Sequence, residues 1–111
     1  MEKISWDDFE RIEMRVGTII EVEDFPEARK PAYKLKIDLG DFGIKNSSAQ
    51  ITNLFEKEDF IGKQVICVTN FEPKKIANFL SEVLVLGPVE NDLCVSLLKP
   101  DRKVKNGLKI A

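Results

Sequence analysis

The sequence contains no histidine, which removes the most frequent general base, the most frequent metal ligand and every nucleophile triad built on imidazole. Catalysis here would have to rest on Asp, Glu, Lys or Cys. Cysteine is scarce as well: Cys67 and Cys94 stand singly inside apolar runs, the setting of buried free thiols rather than of a disulfide framework or a metal site. There is no glycine-rich phosphate loop, no paired-cysteine spacing and no nucleophile elbow. Two carboxylate groupings, Asp7-Asp8 and Glu56-Glu58-Asp59, fall among other charges, as solvated surface does. No catalytic residue, metal ligand or cofactor is expected, so the chain reads as a binding protein and not an enzyme.

Long apolar runs are missing too. None approaches the ~20 residues that cross a bilayer, and the acidic opening Met1-Glu2-Lys3-Ile4-Ser5-Trp6-Asp7-Asp8 is unlike a signal or transit peptide. The expectation is a cytoplasmic protein with no membrane insertion. No low-complexity stretch marks a linker, and no internal period marks a repeat array. With 111 residues, 43% of them hydrophobic, the chain can build one core and not two. Residues 1–111 are therefore read as a single domain.

What is present is strand-forming sequence. Ser5 or Asp7 can cap a short helix through Arg11, whose Trp6, Phe9 and Ile12 form one apolar face that must dock somewhere. Residues 14–22 are rich in β-branched side chains, and Gly17 within them suggests a bend or bulge. Residues 33–40 alternate most clearly, with Tyr33, Leu35, Ile37 and Leu39 facing inward and Lys34, Lys36 and Asp38 outward. After a turn at Asp41-Phe42-Gly43, residues 44–51 read as a return strand. A short helix is expected over residues 54–60, capped by Thr52 or Asn53, followed by a strand over 64–70. Strands over 82–87 and 94–98 complete the set, with Asn91-Asp92 in the turn between them. Several of these runs are apolar on both faces and need cover from the amino-terminal helix, the carboxy-terminal segment or a second subunit. Three strands, a helix, then further strands is the order of an all-β, five-stranded OB-fold Greek-key barrel with short helices and terminal extensions. An SH3-like barrel is the alternative, weakened by the segment at 54–60.

Charge is distributed unevenly. The net charge is −2, which argues mildly against a nucleic-acid ligand. Residues 1–24, however, hold most of the excess acid, while Lys99, Arg102, Lys103, Lys105 and Lys109 face only Asp101 near the other end. Lys34 and Lys36 share a strand face with Arg29-Lys30 just upstream, at the strands and loops where an OB-fold takes oligonucleotides. Ser47, Ser48 and Gln50 add hydroxyl and amide groups suited to phosphate and ribose. Asn70-Phe71-Glu72-Pro73-Lys74-Lys75 supplies two more lysines and an aromatic ring that can stack on a base or anchor its loop. Solvated lysines also protect strand faces from aggregation, so composition alone leaves both uses open.

Several segments together resemble the tRNA-binding-domain family and, within it, the small stand-alone members: Phe9-Glu10-Arg11-Ile12-Glu13-Met14-Arg15-Val16-Gly17, Phe25-Pro26-Glu27-Ala28-Arg29-Lys30-Pro31-Ala32-Tyr33, Ser47-Ser48-Ala49-Gln50, Asn70-Phe71, Ser81-Glu82-Val83-Leu84-Val85-Leu86-Gly87 and Asn106-Gly107. The resemblance implies an OB-fold, tRNA bound by backbone and shape, a homodimer, and a further role in holding unfolded or precursor polypeptides as an export-related chaperone. It implies RNA contacts from Arg29, Lys30, Lys34, Lys36, Ser47, Ser48, Asn70 and Ser81, to which the sequence adds Lys74 and Lys75. The chain departs from the pattern at Glu72-Pro73-Lys74-Lys75, where arginine and more apolar residues are expected, and at Val83-Leu84, where other branches carry methionine.

Overall fold

The strictest alternation in the sequence forms the middle of the sheet. In the computed structural model, which describes residues 1–50 and 56–111, β2 (Tyr33–Asp38) lies between β1 (Met14–Asp24) and β3 (Ile44–Ala49), both antiparallel to it. Leu35, Ile37 and Leu39 are buried with Ile19, Phe60, Val65 and Cys67 in one apolar core. β1 is long enough to serve both sides of the barrel. Its first half pairs with β4 (Gln64–Val68) from Met14 to Thr18, and its second half pairs with β2 from Thr18 to Asp24.

The change of partner needs two local devices. The bulge falls at Ile20, where the register with β2 skips between Ile19 and Glu21, not at Gly17. Gly17 has a different duty: a Cβ there would lie 2.5 Å from Ile37 Cγ2 and 2.8 Å from Leu39 Cδ2, so the backbone can approach the core only without a side chain.

β7 (Leu84–Val85) adds to the far edge of β4, giving the order β3-β2-β1-β4-β7. Closure comes from the chain just before β7. The Glu82 and Val83 amides both donate to the Asn46 carbonyl, and the Asn46 amide donates to Glu82 Oε1 at 3.0 Å. The result is a nearly closed five-stranded antiparallel barrel of the OB type. The predicted strand over 82–87 shrinks to two residues because its neighbours are used in this closure and in covering β4, where the Leu86 amide donates to the Ile66 carbonyl.

β4 is buried on both faces, with Val65 and Cys67 in the main core and Ile66 and Val68 buried opposite them. The carboxy-terminal segment lies beside the neighbouring strand, β1. Val16 donates to Leu108, Gly107 donates to Val16 and Ile110 donates to Met14 along the free edge of early β1. Gly107 turns there at φ 92°, and a Cβ on it would sit 2.7 Å from the Leu39 carbonyl oxygen.

The expected amino-terminal helix is present as α1 (Trp6–Glu10), closed by a capping box between Ser5 and Asp8. Its apolar face does not dock on this barrel: the helix has no buried residue, and Trp6 is 85% exposed. Of the helix expected over 54–60, residues 54 and 55 lie outside the described residues, as do the caps at Thr52 and Asn53 and the end of the return strand at Ile51. The remainder is a single 3-10 turn, Lys57–Asp59, which leads the fully buried Phe60 into the core. A second such turn, Gly40–Phe42, takes the place of the expected turn at residues 41–43.

Two small hairpins complete the fold. β5 (Lys74–Ile76) and β6 (Phe79–Ser81) form one that the sequence did not announce. β8 (Val89–Glu90) and β9 (Leu93–Cys94) form the other about Asn91 and Asp92, both at positive φ, as a two-residue primed turn requires. The strand expected over 94–98 is thereby reduced to its first residue plus Leu93.

Candidate nucleic-acid interface

The outer face of β2 carries the lysines that the alternation placed there, but register gives each a partner. Lys34 stands opposite Glu23 and Lys36 opposite Glu21 on β1, with N–O separations of 3.8 and 3.7 Å. On β3 the opposite residues are Ser48 and Asn46. The centre of the face is thus a neutral ladder of two cations and two carboxylates, bordered by a hydroxyl and an amide. Lys34 also leans over two rings, 5.5 Å from the centroid of Phe25 and 5.9 Å from that of Phe79, a range in which a cation is attracted to the ring face.

Those two rings tie the flanking loops together. Phe25 begins the connection from β1 to β2, Phe79 belongs to β6, and their centroids are 5.3 Å apart in an edge-on arrangement. The β1–β2 connection is closed at its neck by the Phe25 amide donating to the Ala32 carbonyl. Arg29 and Lys30 are exposed on it, and Lys74 and Lys75 are exposed on β5. None of these four has an ion-pair partner among the described residues. Unpaired positive charge therefore sits on the two loops, and the strand face between them is balanced.

Other sequence-derived candidates are placed differently. Ser47 is 1% exposed, on the inward side of β3 beside Leu35, and its hydroxyl donates to the Ser48 carbonyl. It cannot touch a ligand on the outer face. Asn70 uses both ends of its amide locally, accepting from the Glu13 amide (3.0 Å) and donating to the Arg11 carbonyl (2.7 Å), so it staples the α1–β1 connection to the end of β4. Ser48 is half-buried on the outer face, and Ser81 is half-buried opposite Lys74. Sequence reasoning missed Glu21, Glu23 and Phe79. The alternation of Glu21 and Glu23 about Val22 was visible, but the bulge at Ile20 hid which β2 residues they would face.

Beside Asn70, Glu13 is held below its ordinary carboxylate range, first by the hydrogen bond from Arg15 (2.7 Å) and then by that from Thr69 (3.0 Å). Cys67 is pushed up to about 12 by burial, which keeps the thiol protonated and inert; neither it nor Cys94 is in a disulfide. Among the described residues there is no group of three or more metal-ligating side chains, and no helix is long and apolar enough to cross a membrane.

A barrel with this topology and two cation-bearing loops invites comparison with known families. A family model described as "Putative tRNA binding domain" matches residues 14–109. The chain belongs to the tRNA-binding-domain family. Its relatives include the methionine–tRNA ligase of Methanocaldococcus jannaschii, 38% identical over 110 residues, a match that covers 99% of this chain but 17% of that protein. Among solved structures, the chaperone CsaA of Bacillus anthracis is 48% identical with a TM-score of 0.93, covering 99% of this chain and 100% of that one. The CsaA chaperone protein of Picrophilus torridus is 58% identical with a TM-score of 0.91, covering 98% of this chain and 100% of that one. The likeness to the ligase is confined to a small part of it, whereas the likeness to the CsaA proteins runs from end to end.

Proposed function

We propose that residues 1–111 act as one non-catalytic tRNA-binding unit in the cytoplasm, recognising tRNA through backbone and shape. The observation that carries this reading is the pair of cationic loops, Arg29-Lys30 and Lys74-Lys75, flanking the outer face of β2 and β3 in a chain of the tRNA-binding-domain family. Lysines and backbone-reaching polar groups fix a nucleic acid by its phosphates and carry little base information. Arg29, Lys30, Lys74 and Lys75 are the outer phosphate contacts. Lys34 and Lys36 exchange Glu23 and Glu21 for phosphate on binding, and Ser48 and Ser81 lie close enough to contribute. Titration with folded tRNA, unfolded tRNA and duplex DNA at several salt concentrations tests the reading. Preference for folded tRNA is expected, and equal binding of all three would refute shape recognition.

The unit is a homodimer in this proposal. Support comes from Ile4, Trp6 and Ile12 in and around α1, together with Leu84, Val89 and Leu93, all large, apolar and exposed; apolar surface of this kind marks an interface. Sedimentation at micromolar concentration checks it, and a monomer at every accessible concentration removes it.

A second reading, the holding of unfolded polypeptides in export, is favoured by one feature besides the CsaA likeness. Two adjoining depressions of about 300 and 280 Å³ share Phe71, Glu82 and Val83, with Phe42, Pro73 and Leu84 adding apolar wall and Glu13, Lys45, Glu72 and Lys74 adding charge. A peptide that carries both apolar and charged side chains suits such a mixed groove. The chain has no nucleotide loop to couple to hydrolysis, so suppression of client aggregation is expected without ATP. No suppression at severalfold excess over client would leave tRNA binding as the supported activity.

A further inference from the structure

Away from the β2–β3 face, the start of β4 is fastened to the carboxy-terminal segment by one side chain. Gln64 Nε2 donates to the Val104 carbonyl (2.7 Å) and to Asn106 Oδ1 (3.0 Å), while its Oε1 accepts from the Val104 amide (3.0 Å). Asn106 Oδ1 accepts in addition from Thr18 Oγ1 at 2.8 Å. Both ends of the Gln64 amide are thus engaged, and they fasten the barrel end to the segment that follows β9.

Between these walls is a recess of about 430 Å³ lined by Lys63, Gln64, Ser96, Leu97, Lys99 and Lys103. Its size is that of a small-molecule site, for which roughly 300 to 1,000 Å³ is usual. Three lysines border it and no described carboxylate does, although acidic residues outnumber basic ones in the chain, 19 to 17. Lys99 and Lys103 are exposed and have no ion-pair partner among the described residues. Lys99 and Lys103 thus give the rim positive charge that no described carboxylate neutralises, and the field of such charge favours an anion there. The Ser96 hydroxyl offers a further polar contact and half-buried Leu97 an apolar wall, so the lining suits a ligand with an anionic end and a less polar body.

We propose that this recess is a phosphate-binding subsite for a ligand of nucleotide size, taken either as one nucleotide of an RNA chain or as a free nucleotide. The RNA source rests on the tRNA-binding reading; the free-nucleotide source does not. The backbone beneath the lysines is already secured, since the Lys63 amide donates to the Phe60 carbonyl and the Lys63 carbonyl accepts from the Ile19 amide. Substitution of the side chain leaves those bonds in place.

The test is amide-resolved NMR on the full chain, titrated at low salt with ATP and, separately, with a short oligouridylate. Saturable shifts are expected at the amides of residues 62–64, 96–99 and 101–103. They should weaken at least about tenfold in Lys63→Gln/Lys99→Gln/Lys103→Gln, whose thermal unfolding should match that of the parent; if it does not, Lys99→Gln/Lys103→Gln serves instead. Shifts with both probes, competing with each other, support a shared phosphate subsite. Shifts with ATP alone support the free nucleotide, and shifts with the oligonucleotide alone support RNA. In the RNA case the triple variant should also lower the salt slope of tRNA binding by about 2, at roughly 0.7 per lost contact. If neither probe moves these amides, the subsite is overturned, even where tRNA still binds through the β2–β3 loops. If tRNA fails to bind while ATP still titrates the recess, the subsite stands and the tRNA reading falls.

Discussion

Replacing Glu21 and Glu23 together with Gln is expected to tighten tRNA binding and steepen its salt dependence. In the free protein these carboxylates face Lys36 and Lys34 at 3.7 and 3.8 Å. When the lysines turn to phosphate, both glutamates are left near the RNA backbone, where they repel it or recruit cations that offset the release of counterions. Two phosphate contacts bring a slope change of about 1.5 in log affinity against log salt, at roughly 0.7 to 0.9 each. Over a fourfold drop in salt, that slope amounts to about an eightfold gain relative to the parent. The cost in stability should be small, because exposed ion pairs contribute only about 0.2–1 kcal/mol each. Fluorescence or filter titration with folded tRNA across a salt series reads the effect, with chemical denaturation as the control. In the reciprocal experiment, Lys34→Ala/Lys36→Ala should lower the slope by about 1.5 and spare the fold. Unchanged affinity and slope in the Gln variant would show that RNA does not contact this face, and the loops would have to act elsewhere.

Gly17→Ala should destabilise by about 1–3 kcal/mol, seen as a lower denaturation midpoint, because the new methyl meets Ile37 and Leu39 in the core; an unchanged midpoint would contradict the close approach. Asn70→Ala should cost about 1–2 kcal/mol by removing two hydrogen bonds while leaving the tRNA salt slope unaltered, whereas a changed slope would make Asn70 an RNA contact. The depressed Glu13 carboxyl contributes stability that is present above its ordinary pKa of 4.5 and lost as pH falls through the lower folded value. Glu13→Gln should therefore flatten the acid limb of a stability-against-pH curve below that point, and an identical limb would argue against the Arg15 and Thr69 contacts. Cys67, its pKa pushed up to about 12, should resist a thiol reagent at mild alkaline pH until the protein unfolds; labelling in the native state would show that the core opens.

The alternation of Tyr33, Leu35, Ile37 and Leu39 determined which side of β2 is core, because side chains on a strand point alternately to its two faces. It thereby placed Lys34 and Lys36 outside. The turn at Asn91-Asp92, the cap at Ser5 and the two-sided burial of β4 were legible for the same reason, since each depends on local residue chemistry or a short-range pattern. The OB order of strands followed from their sequence, and the segments around Phe25-Pro26-Glu27-Ala28-Arg29-Lys30 carried the family.

Tertiary structure decided everything that depends on register or on contacts between distant segments. The expected bulge moved from Gly17 to Ile20 because the glycine serves close packing against β2, a neighbour that the residues around it do not reveal. Glu21 and Glu23 neutralise the lysine face only because the bulge fixes the β1–β2 register. Ser47 turned inward since it shares the phase of β3 with Ala49, whereas its polar neighbours on both sides suggested an exposed run. Asn70, read as a ligand contact, is a staple because Arg11 and Glu13 are brought to it across 59 and 57 residues of chain. The recess around Lys63, Lys99 and Lys103 exists because Gln64 binds the carboxy-terminal segment, and a contact across 40 residues leaves no periodic trace in a sequence.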